Sequence, residues 1–124
     1  MTDPNTAHGT PSWIEHSSTD TEAARKFYED VLGWSIGEMP MKDGSTYPMI
    51  MVGDKPVGGF PPMPGQGGWL LYITVDDVDA RVAKAKSAGA QVVREAVTAP
   101  GVGRMAAISD PFGAQIAFID YSEA

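Results

Sequence analysis

Two side chains in this sequence have the types and placement that proton transfer would use, Glu15 and Tyr72. Glu15 lies in Trp13-Ile-Glu-His16, where strand alternation sends Trp13, Glu15 and Ser17 to one side and turns Ile14 and His16 to the other. Tyr72 occupies the matching place in Trp69-Leu-Leu-Tyr-Ile-Thr-Val75 once the repeat described below is superposed. Burial of Glu15 beside Trp13 and methionine side chains would penalise its ionised form and raise its pKa, which suits a carboxyl for acid or base work near neutral pH. Tyr72 would then act as proton donor or oxyanion partner, and Arg104 would fix an anionic group. The same residues also admit a structural reading. In it, a hydrogen bond from Tyr72 or a salt bridge with Arg104 only satisfies Glu15 and holds strands in register.

Seven methionines add a second kind of candidate surface. Met49 and Met51 share strand parity, with Met39, Met41 and Met63 close in sequence, and such soft, adaptable side chains either line a pocket for flat ligands or fill an ordinary core. The two histidines are weaker candidates. His16 points toward the helix side, where a hydrogen bond is expected to satisfy it. His8 belongs to a polar arm, Met1 to Gly9, expected to be loose and solvated. There is no cysteine, so neither a disulfide framework nor a thiolate metal site can form.

The elements that must position these residues follow one plan twice. Pro11 to Ser18 reads as a strand, and Thr19-Asp-Thr-Glu22 has capping-box spacing. Ala24, Phe27, Tyr28, Val31 and Leu32 then form a helical stripe expected to lie on a sheet, ended by Gly33. Short extended runs follow at Trp34 to Met39, Tyr47 to Val52 and Lys55 to Phe60, separated by Lys42-Asp-Gly44 and Gly53-Asp54. After the Pro/Gly-rich stretch Gly58 to Gly68, which reads as a linker, Trp69 to Val75 opens the second copy. Asp76 or Asp77 caps a helix with Val78, Val82 and Ala85 inward and Gly89 at its end. Strands at Gln91 to Val97, Gly103 to Ser109 and Ala114 to Asp120 complete it, the last two joined by Asp110-Pro-Phe-Gly113. Superposing Asp20 on Asp77 sets Trp13 on Leu70 and Glu15 on Tyr72, as an internal duplication would. The expected class is α+β, with module one at about 10–60 and module two at about 69–121 of a single domain over residues 1–124.

A chain of 124 residues with 43% hydrophobic content suits one domain burying ~65% of its unfolded surface. A net charge of −7 with no Lys/Arg cluster disfavours nucleic acid and anionic membranes as partners. With no signal peptide or long apolar run in view, the cytoplasm is the expected location.

The helix signature Asp20-x6-Phe27-Tyr28-x3-Leu32-Gly33-Trp34, with Val75-Asp-Asp-Val-Asp-Ala80 and Asp110-Pro-Phe-Gly113, resembles the vicinal oxygen chelate superfamily over nearly the whole chain. That superfamily includes glyoxalase I, bleomycin-resistance proteins, extradiol dioxygenases and epimerases. Within it, His8-Gly-Thr-Pro-Ser-Trp13, Gly101-Val-Gly-Arg104 and Asp110-Pro-Phe-Gly-Ala114 are most similar to a glyoxalase-like branch often labelled as hydroxylases. The resemblance implies two tandem βαβββ modules with pseudo-twofold symmetry, whose curved mixed sheet forms a cup around a small molecule. Metal-using members carry ligands in the first and last strands of each module. The matching positions here are Trp13, Leu70, Ala117 and the stretch Val57-Gly-Gly-Phe60, none of which offers a donor. No metal or other cofactor is therefore expected.

Two function classes follow. One is a metal-independent binding protein whose cup, lined by Trp13, Met49, Met51, Leu70 and Ala117, holds a planar or aromatic molecule. The other is a metal-free lyase, isomerase or cyclase using Glu15, Tyr72 and Arg104. A metal-dependent glyoxalase or dioxygenase with unusual ligands is a third. A homodimer is the expected assembly, with modules pairing either within a chain or between chains.

Overall fold

A computed structural model describes residues 6–41, 43–61 and 67–123. Met63, five residues of the N-terminal arm and the middle of the linker lie outside the described residues. The chain divides into two compact units, Trp13–Leu70 and Met1–Ser12 with Leu71–Ala124.

The first of these contains most of β1 (Pro11–His16), then α1 (Thr21–Leu32), β2 (Ser35–Pro40), β3 (Thr46–Val52) and β4 (Lys55–Gly59). Its strands lie in the order β2-β3-β4-β1. β4 runs parallel to β1, with Ile14 opposite Gly58 and Glu15 opposite Gly59. The other unit has β5 (Trp69–Thr74) entering it, α2 (Val78–Ser87), β6 (Gln91–Ala99), β7 (Gly103–Ser109) and β8 (Gln115–Asp120), followed by a short 3-10 helix (Tyr121–Glu123). Its order is β5-β8-β7-β6, and β8 runs parallel to β5 with Tyr72 opposite Ala117. Each module is therefore βαβββ, with its first and last strands parallel neighbours. Glu15/Gly59 and Tyr72/Ala117 are equivalent pairs, which makes the repeat read from the sequence a structural one.

The caps behave as their chemistry requires. Asp20 accepts the Ala23 N–H at 3.1 Å and Asp77 accepts the Ala80 N–H at 3.0 Å. Gly33 closes α1 at φ 71°, a conformation that costs glycine nothing. Ala88 caps α2, and Gly89 follows at φ 103°.

α2 seats Val78 and Val82 against Val75, Ile73, Phe118 and Ala106. On α1 the inward stripe differs from the sequence reading. Phe27, Val31 and Leu32 are each more than half exposed, and the half-buried residues are Thr21, Ala24, Arg25 and Tyr28. Five apolar residues span an arc too wide for periodicity alone to fix its phase. Tyr28 fixes it, because it packs on His16, Trp34 and Trp69.

The arm differs too. Gly9 N–H donates to the Thr74 carbonyl and Thr74 N–H to the Thr10 carbonyl, both at 2.8 Å, so β5 is extended by this segment. Thr74 and Tyr121 both hydrogen bond Ser12, and His8 Nδ1 accepts the Asp76 N–H at 3.0 Å. The residues from His8 onward are tied down because their backbone polar groups find strand partners.

Candidate functional site

Sheet register sets out the site. Glu15 on β1 stands opposite Gly59 on β4, Gly59 opposite Met49 on β3, and Met49 opposite Gly37 on β2. Laterally paired residues project to the same face, so a single row crosses four strands as carboxylate, glycine, methionine, glycine. The glycines let neighbouring side chains lie down. A Cβ at Gly59 would clash with the hydroxyl edge of the Tyr47 ring, and a Cβ at Gly37 would meet Met51 Cγ and Sδ at 3.2 Å. Tyr47 thus rests across Gly59 and Met51 across Gly37, giving a low floor of phenol and thioether.

The lean of Tyr47 across Gly59 brings it to Glu15. Tyr47 Oη donates to Glu15 Oε2 at 2.8 Å, and Trp13 Nε1 donates to Tyr47 Oη at 3.4 Å. The indole N–H can only donate, so the phenol oxygen receives that bond and its one proton goes to the carboxylate. Trp13 and Glu15 are two apart on β1 and Tyr47, Met49 and Met51 alternate on β3, so all five share the face away from α1. Tyr47 sets a phenol against Glu15, and sequence reasoning did not single it out. Its signal was present, since Tyr47 has the parity of Met49 and Met51 and Gly59 lies on the adjoining strand.

The other expected residues are placed as follows. Tyr72 is 2% exposed and Ala117 1%, side by side on β5 and β8. Leu70, two residues before Tyr72, is half-buried. Arg104 is paired with Asp120 on β8, two positions from Ala106, which packs on α2. It therefore lies on the α2 face of its sheet, opposite to Tyr72 and Ala117. There its Nε and Nη2 fork onto Asp79 at 2.7 and 2.8 Å, and Nη1 bonds Thr98 Oγ1 at 3.1 Å. The Arg104 guanidinium holds the Asp79 carboxyl below the usual carboxylate range. Arg104 is thus not brought together with Tyr72, because an acidic residue in the first turn of α2 captures it.

On the α1 face, His16 is enclosed by the rings of Trp69, Tyr28 and Phe60 at centroid separations of 4.8, 5.5 and 5.6 Å. Its Nδ1 is buried without a hydrogen-bond partner among the described residues, so the satisfying bond expected from the sequence is replaced by aromatic packing. Burial holds the imidazole below its ordinary pKa of 6.5. Folding therefore favours the neutral ring, and this contribution is complete above pH 6.5 and lost as pH falls toward and through the folded value. The melting temperature of the wild type should fall more steeply below pH 6.5 than that of a His16→Phe variant, which keeps a ring and cannot protonate. Parallel profiles for the two proteins would show that His16 carries no such penalty.

The metal-ligand positions of the resembled superfamily do not fit a metal. They hold Trp13, whose N–H is spent on Tyr47, together with apolar Leu70 and Ala117 and the segment Val57–Phe60. Among the described residues no three His, Asp or Glu side chains gather as a metal would require. No helix among them is long and apolar enough to cross a membrane.

Comparison with known proteins agrees with this architecture. CFP32 of Mycobacterium tuberculosis, which carries a glyoxylase name, is 44% identical over 109 residues, covering 86% of this chain and 42% of that protein. DnrV of Streptomyces peucetius, an anthracycline biosynthesis protein, is 30% identical over 128 residues, covering 90% and 46%. The chain thus spans less than half the length of these relatives. Methylmalonyl-CoA epimerase from Mycobacterium tuberculosis superposes with a TM-score of 0.58 at 22% identity, covering 96% of this chain and 91% of that one, a likeness of fold. The model of the Glyoxalase/Bleomycin resistance protein/Dioxygenase superfamily matches residues 11–118, and with its two βαβββ modules the chain belongs to that superfamily.

Proposed function

We propose that this chain is a metal-independent small-molecule-binding protein whose ligand is planar or aromatic. The observation that carries this reading is the floor built on Gly59 and Gly37, where Tyr47 and Met51 lie flat beside Trp13, Met49 and Glu15. Such a surface offers broad apolar area with a few polar anchors, the usual composition of a small-molecule site. The name of DnrV supports an organic small molecule over a macromolecular partner. We further propose a homodimer, supported by the exposed Phe27, Val31 and Leu32 of α1, an apolar strip that a second copy would cover.

A second reading is favoured by the Tyr47–Glu15 hydrogen bond. It makes the protein a metal-free lyase, isomerase or cyclase in which Glu15 moves a proton, Tyr47 orients it and Tyr72 serves as proton donor or oxyanion partner. One titration separates the two. Metal-free protein is mixed with a panel of aromatic compounds while tryptophan fluorescence and product formation are followed, for wild type and Glu15→Gln. A binding protein keeps most of its affinity for neutral compounds in Glu15→Gln and makes no product. An enzyme keeps binding and loses turnover ~100-fold or more. Absence of any saturable fluorescence change across the panel would contradict both.

A further inference from the structure

The two helices are seated on their strands in different ways. α2 buries Val78 and Val82, whereas no residue of α1 is buried. α1 is tied by Thr21 Oγ1, which donates to the Pro61 carbonyl at 3.3 Å, by the Arg25–Glu38 pair at 3.7 Å, and by Tyr28 among the rings of His16, Trp34, Phe60 and Trp69. A long hydrogen bond and a partly exposed ion pair contribute little, so the ring cluster is the main anchor of the helix.

His16 stands in the middle of that anchor, and its buried Nδ1 has no hydrogen-bond partner among the described residues. A neutral imidazole tolerates this, because one of its nitrogens carries no proton. An imidazolium carries a proton on both, so Nδ1 would become a buried charged donor with nothing to receive its bond. Ring faces attract a cation and offset part of that cost, but they supply no acceptor lone pair. Of the rings touching His16 only Tyr28 of α1 is ionisable, since Trp69 of β5 and Phe60 after β4 bring no charge. Sheet register puts Glu38 of β2 on the same face as His16, where Arg25 pairs with it. Glu22, Lys26, Glu29 and Asp30 of α1 are exposed. Burial alone lowers the imidazole pKa, with no charged neighbour contributing.

We propose that His16 is an acid-sensitive latch for α1: protonation of the imidazole releases the Tyr28 anchor and lets α1 leave its strands while α2 stays seated. Once α1 is off, His16 binds its proton in water at the ordinary pKa of 6.5, so opening is unaffected well above that pH and favoured as pH falls below it. At pH 5.0 the gain in the opening equilibrium is bounded at ~30-fold, the ratio for a group that has its ordinary pKa in the open state and stays neutral in the closed one.

Amide hydrogen exchange of the full chain at pH 7.5 and 5.0, divided by the intrinsic rate at each pH, reads the opening equilibrium helix by helix. Between these pH values the α1 amides should open at least ~5-fold more while those of α2 change by less than about twofold. α2 is the fitting control because Asp77 caps it as Asp20 caps α1, so any protonation of the caps weighs on both helices alike. His16→Phe and His16→Gln, neither of which can protonate, should both remove the rise in α1, and Glu38→Gln should leave it in place. In the wild type the His16 ring protons should titrate below pH 6.5, and a midpoint at or above 6.5 would overturn the latch without any variant. Equal opening of α1 at both pH values would overturn it as well. A rise of the same size in the His16 variants would assign the acid sensitivity to other groups and overturn the role of His16. A rise shared by α1 and α2 would make the transition a global one and overturn the local latch.

Discussion

Gly58→Ala should lower stability by ~3 kcal/mol, at the upper end of what overpacking costs, and the melting temperature by roughly 10 °C. A Cβ at this position would fall inside contact distance of the Ile14 carbonyl oxygen and side chain, and 3.2 Å from Ile50 Cδ1. Backbone cannot rotate away as a long side chain can, so β1 and β4 would have to separate. Gly44→Ala is the natural control, because Gly44 has φ +90° with open space around it and charges only the conformational cost of ~1 kcal/mol. If Gly58→Ala melts with Gly44→Ala or above it, the close β1–β4 pairing that sets Glu15 beside Gly59 is wrong.

Trp13→Ala is expected to weaken every aromatic ligand of the site by ~2 kcal/mol, or about 30-fold in Kd. Two losses combine. The indole supplies stacking area, and its N–H fixes the Tyr47 hydroxyl so that its proton is directed at Glu15. Trp13→Phe keeps the first contribution and removes the second, so it should retain part of the affinity. Calorimetry with 1-naphthol reads all three proteins, and equal Kd values for wild type and Trp13→Ala would remove Trp13 from the site.

Much of this molecule was legible from its residues. Asp20, Asp77 and Gly33 are local signals, because a cap is decided by the few residues around it, and all three act as their chemistry dictates. Period-two alternation likewise put Trp13 and Glu15 on one face and His16 on the other. What stayed hidden depends on partners far apart in sequence. The hydrogen bond from Tyr47 to Glu15 follows from β3 lying next to β4 and from Gly59 having no side chain. Arg104 was drawn to Asp79 by the position of α2, and His16 lost its expected hydrogen bond to rings from α1, β5 and Phe60, the residue after β4. On α1 an amphipathic pattern fixed the existence of a helix but not which part of its apolar arc would meet the sheet.

On the proposed reading a planar ligand rests on the face carrying Trp13, Tyr47, Met49 and Met51 without a metal. Nuclear magnetic resonance of protein dialysed against EDTA, with labelled methionine methyls and indole N–H groups and titrated with 1-naphthol, reads that face residue by residue. The Trp13 indole and the Met49 and Met51 methyls should shift saturably, while the indoles of Trp34 and Trp69, packed with Tyr28 on the α1 face, stay in place. Shifts confined to Trp34 and Trp69, or binding that appears only after a divalent metal is added, would contradict that reading.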